Sequence, residues 1–487
     1  MKLINIDKSN VKYREYIMKK AALIKIVAFL GMLLIGAVVS LIIPIRPVKS
    51  NVEKRNLAKF PGFNIQSFID GEYFAGIDTW FSDTFPGRDS LMGCNEFITN
   101  LYGIRNNVVH GEIIVGDDIP DVEFDENEYE YINNIDTESK PTDTEVKNEN
   151  DKENANNNYS FDNSITIDPS EIGNNVDFDE NSTSASAKAG ESLGSVFVVG
   201  DSAYNYYSFS QAISDQYVAL INGLAKELEG SADVYDLIIP TAIDITLDDA
   251  TRNSISSSNQ KQAIRYMYSK MSPNVGKCYI YELMRKHRDE YLYFRTDHHW
   301  TSLGAYYAYT AFATQLEKKP YALDSFKKYE MGRFIGSYYT TTRVSSLTEN
   351  PDNLVAYGPF STNALEMVNK DNQFIDYNII TDVSGWNENS KYSSFIGGDN
   401  PYTHIKNPNL SDGSSVLVIK ESFGNAFVPF LVENFEHVYV IDYRYYDGTV
   451  QELVAQNAIA NVVFVNNISI TSTEDRVNEL KKVCGQK

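Results

Sequence analysis

The sequence predicts an α/β protein, with a mainly parallel sheet, helices on both of its faces, and one transmembrane helix ahead of it. Three observations carry this reading. After residue 192, short apolar strands alternate with helical stretches, as expected of strands buried on both sides. An uncharged apolar run lies near the N-terminus. Between these two regions lies an acidic stretch without apolar periodicity, which predicts an insertion rather than a fold of its own.

The apolar run spans 26–45, about the 20 residues needed to cross a hydrocarbon core of roughly 30 Å. Lys2, Lys8, Lys12, Arg14, Lys19, Lys20 and Lys25 precede it. The excess of positive charge puts residues 1–25 in the cytoplasm and everything after Arg46 outside, as a single-pass protein of the cell membrane. A cleaved signal peptide would have a shorter apolar region and a small-residue cleavage site. Here Pro44-Ile45-Arg46-Pro47 follows instead.

Residues 46–116 form the N-terminal part of the extracellular region. An extended lead through Glu53-Lys54-Arg55-Asn56-Leu57-Ala58 precedes an amphipathic helix over 74–88, broken at Pro86-Gly87-Arg88-Asp89, and a second helix over 95–101. Residues 117–192 read as a disordered acidic insertion. Residues 117–191 hold 22 Asp and Glu against four Lys, so this stretch supplies −18 of the chain's net charge of −23. The folded remainder is only mildly acidic and has no basic footprint, which excludes nucleic acid as a partner. Flanking strands are expected at 112–116 and 195–200.

The α/β domain occupies 193–487. Strands are expected at 196–199, 234–239, 415–419, 438–441 and 462–465, and helices at 211–229, 260–271, 302–317 and 425–434. Residues 277–280 and 291–294 read as extended. The less periodic stretch 332–407 predicts loops and small antiparallel pieces. The three cysteines, Cys94, Cys278 and Cys484, are widely spaced. They make neither a disulfide framework nor a zinc motif.

Reactive groups in open α/β sheets gather at the carboxyl ends of strands, and three segments fall there: Gly200-Asp201-Ser202, Asp297-His298-His299-Trp300, and Glu421-Ser422-Phe423-Gly424-Asn425. On an extended chain Asp297 and His299 point to the same side. The carboxylate can then accept the imidazole Nδ1–H and leave Nε2 as a general base. His298 is expected to support them, and Trp300 to pack under the loop with its indole N–H bonded. A metal cluster is the other reading of Asp-His-His. Adjacent histidines rarely share an ion and no HxH or HExxH partner lies nearby, so no metal and no cofactor is expected. Ser422 is the candidate nucleophile on a strand-to-helix turn, where backbone N–H groups, the Gly424 backbone and the Asn425 amide can serve an oxyanion or bind substrate. A helix-capping serine is the bland alternative there. Ser202 is the alternative nucleophile.

The run Arg295-Thr296-Asp297-His298-His299-Trp300-Thr301-Ser302-Leu303-Gly304-Ala305, together with Lys420 to Leu431 and Phe334-Ile335-Gly336-Ser337-Tyr338-Tyr339, resembles the DHHW family. That family is SGNH-hydrolase-like and related to the extracytoplasmic proteins that O-acetylate alginate. The resemblance implies a permuted SGNH-like order, with Asp297 and His299 ahead of the serine, and it favours Ser422 over Ser202. Glu421 stands where those relatives often have Gly or Asp. The implied function is a membrane-anchored, extracellular O-acetyltransferase or acetylesterase acting on a cell-surface polysaccharide through a Ser-His-Asp triad. The implied partner is a multi-pass membrane-bound O-acyltransferase as acetyl donor. The alternative is a non-catalytic glycan-binding or assembly protein of the cell envelope.

Overall fold

Most of the apolar runs that read as buried strands do pair into one sheet, but that sheet is mixed rather than mainly parallel. The computed structural model describes residues 46, 49–50, 55–70, 72–85, 108–133, 195–369 and 371–486. The chain divides into two units, Met1–Tyr102 with Asp177–Lys188, and the rest. In the first unit, β1 (Lys49–Ser50) and β2 (Arg55–Asn56) pair antiparallel. A short helix, Ile65–Ile69, leads into the amphipathic helix Glu72–Asp83. The Arg46 guanidinium lies 4.1 Å from the Trp80 ring centroid. The expected span 26–45 and the helix at 95–101 lie outside the described residues. Among the described residues, no helix is long and apolar enough to cross a membrane.

In the second unit, the first strands form a small antiparallel sheet of their own. They are β3 (Val108–His110), β4 (Val196–Val199) and β5 (Ser202–Asn205), in the order β3-β4-β5. Two expectations are corrected here. The strand ahead of the insertion is Val108–His110 rather than 112–116, and the strand at 196–199 does not enter the large sheet. Val196 and Val198 are buried against Tyr338 and Leu347 instead. The start of the acidic stretch also departs from its prediction. Asp125 caps a 3-10 turn, Glu126–Tyr129, that runs into the helix Glu130–Asn133. Tyr129 and Ile132 are buried in the main core, and Phe124 stacks on Tyr129 with ring centroids 5.3 Å apart. A few aromatic and aliphatic side chains suffice to dock a segment when a core is already there to receive them.

The large sheet has eight strands: β6 (Asp233–Ile239), β7 (Val275–Lys277), β10 (Ala364–Val368), β11 (Phe374–Asn378), β12 (Tyr402–Lys406), β13 (Ser415–Lys420), β14 (His437–Asp442) and β15 (Asn461–Asn467). Their order is β11-β10-β12-β14-β13-β15-β6-β7. From β14 to β7 all pairs are parallel, and from β11 to β14 all are antiparallel. The antiparallel half comes from the stretch that lacked helical or buried-strand periodicity. In β10, buried and exposed positions alternate, as in a strand with one face in water, whereas every residue of β13 is buried. A separate hairpin, β8 (Lys327–Phe334) with β9 (Asp352–Gly358), completes the strands.

β13 has β14 on one side and β15 on the other, so chain order reverses about it. Such a switch point opens a crevice beyond the carboxyl ends of the strands. The helix Gly424–Leu431 leads from β13 to β14 and the helix Val450–Asn457 from β14 to β15. The helix Ser302–Gln315, buried over most of its length, packs against Gly424–Leu431.

Candidate active site

The Asp297 segment is a tight loop, not the extended strand end that the sequence suggested. Tyr293 and Trp300 form an isolated antiparallel bridge, and the Phe294 N–H donates to the His299 carbonyl at 3.2 Å. Asp297 and His299 meet because the Asp297 carboxylate folds back over the turn. Its Oδ1 accepts from the His299 backbone N–H at 3.0 Å and from the His299 ring at Nδ1, 2.6 Å away. An aspartate bonding the backbone two residues on is ordinary turn chemistry. Here the same oxygen also fixes the imidazole tautomer.

The other carboxylate oxygen is held from the loop after β8. Asp297 Oδ2 accepts from the Ser337 backbone N–H and from Ser337 Oγ, both at 2.8 Å. A Cβ on Gly336 would stand 2.3 Å from Asp297 Oδ2, so only glycine lets this loop come so close. Burial opposes a charge on Asp297. The neighbouring His299 and His298, together with the hydrogen bonds from His299 and the Ser337 N–H, outweigh it and hold the carboxyl well below the usual carboxylate range. The loop is braced from beneath by Asp352, whose Oδ2 accepts from the Thr296 N–H at 2.7 Å and from Thr296 Oγ1 at 2.6 Å.

Ser422 arrives from the other direction, directly beyond β13. Its Oγ lies 2.7 Å from His299 Nε2. Two side chains also hold the backbone of the serine turn: Trp300 Nε1–H donates to the Phe423 carbonyl at 2.9 Å, and the Tyr392 hydroxyl donates to the Ser422 carbonyl at 3.2 Å. Trp300 is thus buried with its indole N–H bonded, as expected. The His299 ring is sandwiched, with Tyr392 stacked on it at 3.8 Å and 10° and the His298 ring at 3.8 Å. His298 Nδ1 lies 2.7 Å from Ser337 Oγ, so both histidines reach the same carboxylate, one directly and one through Ser337. Asp297, His299 and Ser422 are 5%, 6% and 2% exposed, which excludes bulk water from the contact.

Three ligand atoms of Asp297, His298 and His299 lie within 4.8 Å of one another. Both carboxylate oxygens and His298 Nδ1 are already engaged in the hydrogen bonds above, which an ion at this place would have to displace. Gly424 and Asn425 do not stand as expected. The Gly424 N–H donates to the Glu421 carbonyl at 2.9 Å, and the Asn425 amide donates to Asp399 at 2.9 Å. A Cβ on Gly424 would meet the Lys420 Cβ at 2.5 Å, so this glycine lets the turn fold back on its own strand. Behind the turn, Lys420 pairs with Asp399 and Asp442 at 3.1 and 3.0 Å, and Arg444 with the same two at 2.8 and 2.6 Å, all of them buried.

Ser202 lies elsewhere. It opens β5 after a two-residue hairpin turn, Gly200-Asp201, and its Oγ donates to Asp201 at 3.2 Å. Gly200 takes φ +61°, the left-handed conformation that hairpin turns require. Ser337, Tyr392 and Glu421 were not singled out for roles at the site from sequence. Ser337 lay within a recognised segment, but Tyr392 carries no local signal.

The family model described as DHHW protein matches residues 53–441. A crystal structure of a DHHW family protein from Eubacterium siraeum is 26% identical, with a TM-score of 0.54, and covers 60% of this chain and 96% of its own. Bacillus cereus PatB1, solved with a sulfonyl adduct, is 20% identical with a TM-score of 0.49, over 60% of this chain and 98% of its own. The O-acetyltransferase domain of Pseudomonas putida AlgJ is 16% identical with a TM-score of 0.30, over 56% of this chain and 90% of its own. No curated protein sequence matches the chain.

Proposed function

The chain belongs to the DHHW family, and from that premise we propose that it is an O-acetyltransferase or acetylesterase in which Ser422, His299 and Asp297 act as a triad. The observation that carries this is the unbroken line from Asp297 Oδ1 to His299 Nδ1 at 2.6 Å and from His299 Nε2 to Ser422 Oγ at 2.7 Å. Ser422 Oγ attacks the acetyl carbonyl carbon while its proton passes to His299 Nε2. The tetrahedral adduct collapses, the departing alkoxide takes that proton, and the acetyl group stays on Ser422. A sugar hydroxyl then gives its proton to His299 and attacks the acetyl-serine, restoring the free serine; with water in its place the outcome is hydrolysis. Asp297, ionised throughout, stabilises the imidazolium formed in both halves. Oxyanion stabilisation is not assigned to Gly424, whose N–H is engaged within the turn, or to Asn425, whose amide donates to Asp399.

In this reading the apolar run 26–45 anchors the chain in the cell membrane with the catalytic domain outside. The substrate is a cell-surface polysaccharide, and a multi-pass membrane-bound O-acyltransferase supplies the acetyl group. The burial of Ser422, 2% exposed, favours a second reading, a DHHW fold that binds glycan without turnover. Purified protein assayed for release of chromophore from an acetyl ester, with and without glycan acceptor, separates the two. The triad reading expects turnover and serine labelling by a fluorophosphonate, both lost in Ser422→Ala. Glycan binding that survives loss of Ser422 and His299, with neither activity in the wild type, overturns it.

A further inference from the structure

Ser422 Oγ has a second polar neighbour that the triad does not use. Glu421 Oε2 lies 3.1 Å from it. Glu421 is buried and pinned: Oε2 also accepts from the Phe423 N–H at 3.1 Å, and Oε1 from the Asn467 N–H at the end of β15 at 2.9 Å. A serine hydroxyl carries one hydrogen, and a carboxylate only accepts. Two acceptors, Glu421 Oε2 and an unprotonated His299 Nε2, therefore compete for one proton. Both contacts are satisfied together when Ser422 donates to Glu421 and a protonated His299 donates to Ser422.

Resting on the reading of Ser422 as nucleophile, we infer that Glu421 is a positioning residue that holds the Ser422 hydroxyl and favours the protonated form of His299, so that it sets the lower pH limit of the serine's reactivity. The two contacts put the Glu421 carboxylate within about 6 Å of His299 Nε2, where an opposite charge still acts on an imidazole. Groups that also face this pair include Asp297 and His298 from the same loop, Tyr392 from the 3-10 helix Glu388–Ser394, and Tyr443 beyond β14, near Arg476. Behind the turn two cations, Lys420 and Arg444, pair with two anions, Asp399 and Asp442. Glu421 is a charge beside Ser422 that one substitution removes without touching the triad.

The test compares wild type with Glu421→Gln in the full chain, by two readouts. One is the pH dependence of Ser422 labelling by a fluorophosphonate. The other is the titration of the His299 ring followed by NMR in protein labelled with 15N-histidine, assigned by its loss in His299→Gln; the chain has only six histidines to resolve. Removing a negative charge favours neutral imidazole, so Glu421→Gln is expected to label at lower pH, with both midpoints down by about one unit. Unchanged midpoints in a folded variant overturn the inference and leave Glu421 as a tie to the Asn467 backbone. A wild type that never labels sinks the triad reading instead, and the His299 titration, which needs no turnover, still decides the role of Glu421. If Glu421→Gln does not fold, Glu421→Asp keeps the charge but withdraws it by one methylene. A smaller shift of the same sign is then expected, and no shift overturns the inference.

Discussion

Gly200-Asp201-Ser202 and Glu421-Ser422-Phe423-Gly424 look alike as sequence, each a serine and a glycine at the end of an apolar strand. In the fold they are opposites. The first is the tip of a hairpin in a small antiparallel sheet, where the chain turns straight back and Ser202 becomes the first residue of the next strand. The second lies at the switch point of the large sheet, where β13 gives way to a helix and the chain comes back beside it only as the parallel strand β14. A hairpin turn spends its polar groups on itself. A parallel strand needs a crossover, and the crossover leaves its first residues facing the crevice.

The largest effect expected from this difference is on activity. Ser422→Ala should remove acyl transfer and hydrolysis by a factor on the order of 10^4 or more, whereas Ser202→Ala should leave both unchanged; equal losses in steady-state assays would erase the distinction. Asp297→Asn should keep the loop, because an amide oxygen can still accept from the His299 N–H, yet lower kcat by about 10^4 through loss of the imidazolium's partner. The two glycines extend the comparison to stability. Gly424→Ala drives a Cβ into the side chain of Lys420, an overpacking expected to cost about 1–3 kcal/mol. Gly200→Ala meets nothing within 4 Å and is opposed only by its left-handed backbone, at about 1 kcal/mol. Denaturant midpoints that reversed this order would contradict the packing described for the serine turn. The smallest effect is at Tyr392, where leucine removes the stack on His299, worth about 1 kcal/mol. It should slow labelling of Ser422 several-fold without altering that of any other serine.

The Asp297–Trp300 run and the Ser422 turn were both legible in the sequence, because each combines an unusual residue string with a place at a strand end. Their partnership was legible only through resemblance, since no local pattern joins positions so far apart. The contact between Asp297 and His299 is made by a turn, not by the extended chain that the spacing suggests. The parallel strands announced themselves as unbroken apolar runs. Strands β10, β11 and β12 did not, because a half-exposed strand mixes polar and apolar residues and is masked by the loops between. Val196–Val199 misled for the converse reason: a short apolar run records burial and not which sheet provides it. Tyr129 and Ile132 were hidden by the acidic residues around them. Composition averages over a window, while docking needs only one or two side chains.

The place of β15 has a consequence for how the protein is made. Among the described residues it is the last strand of the large sheet in chain order, yet it lies in the interior of the sheet between β13 and β6. Until it is present those two strands lack their common neighbour, and pairings between residues so distant in sequence form late. Asn467 at its end is also the residue whose N–H holds Glu421 in place beside the serine. A chain interrupted before residue 461 therefore lacks both the strand that closes the sheet and the contact that arms the turn. On the proposed reading of Ser422 as nucleophile, the turn that carries it is held in place only once β15 is in the sheet.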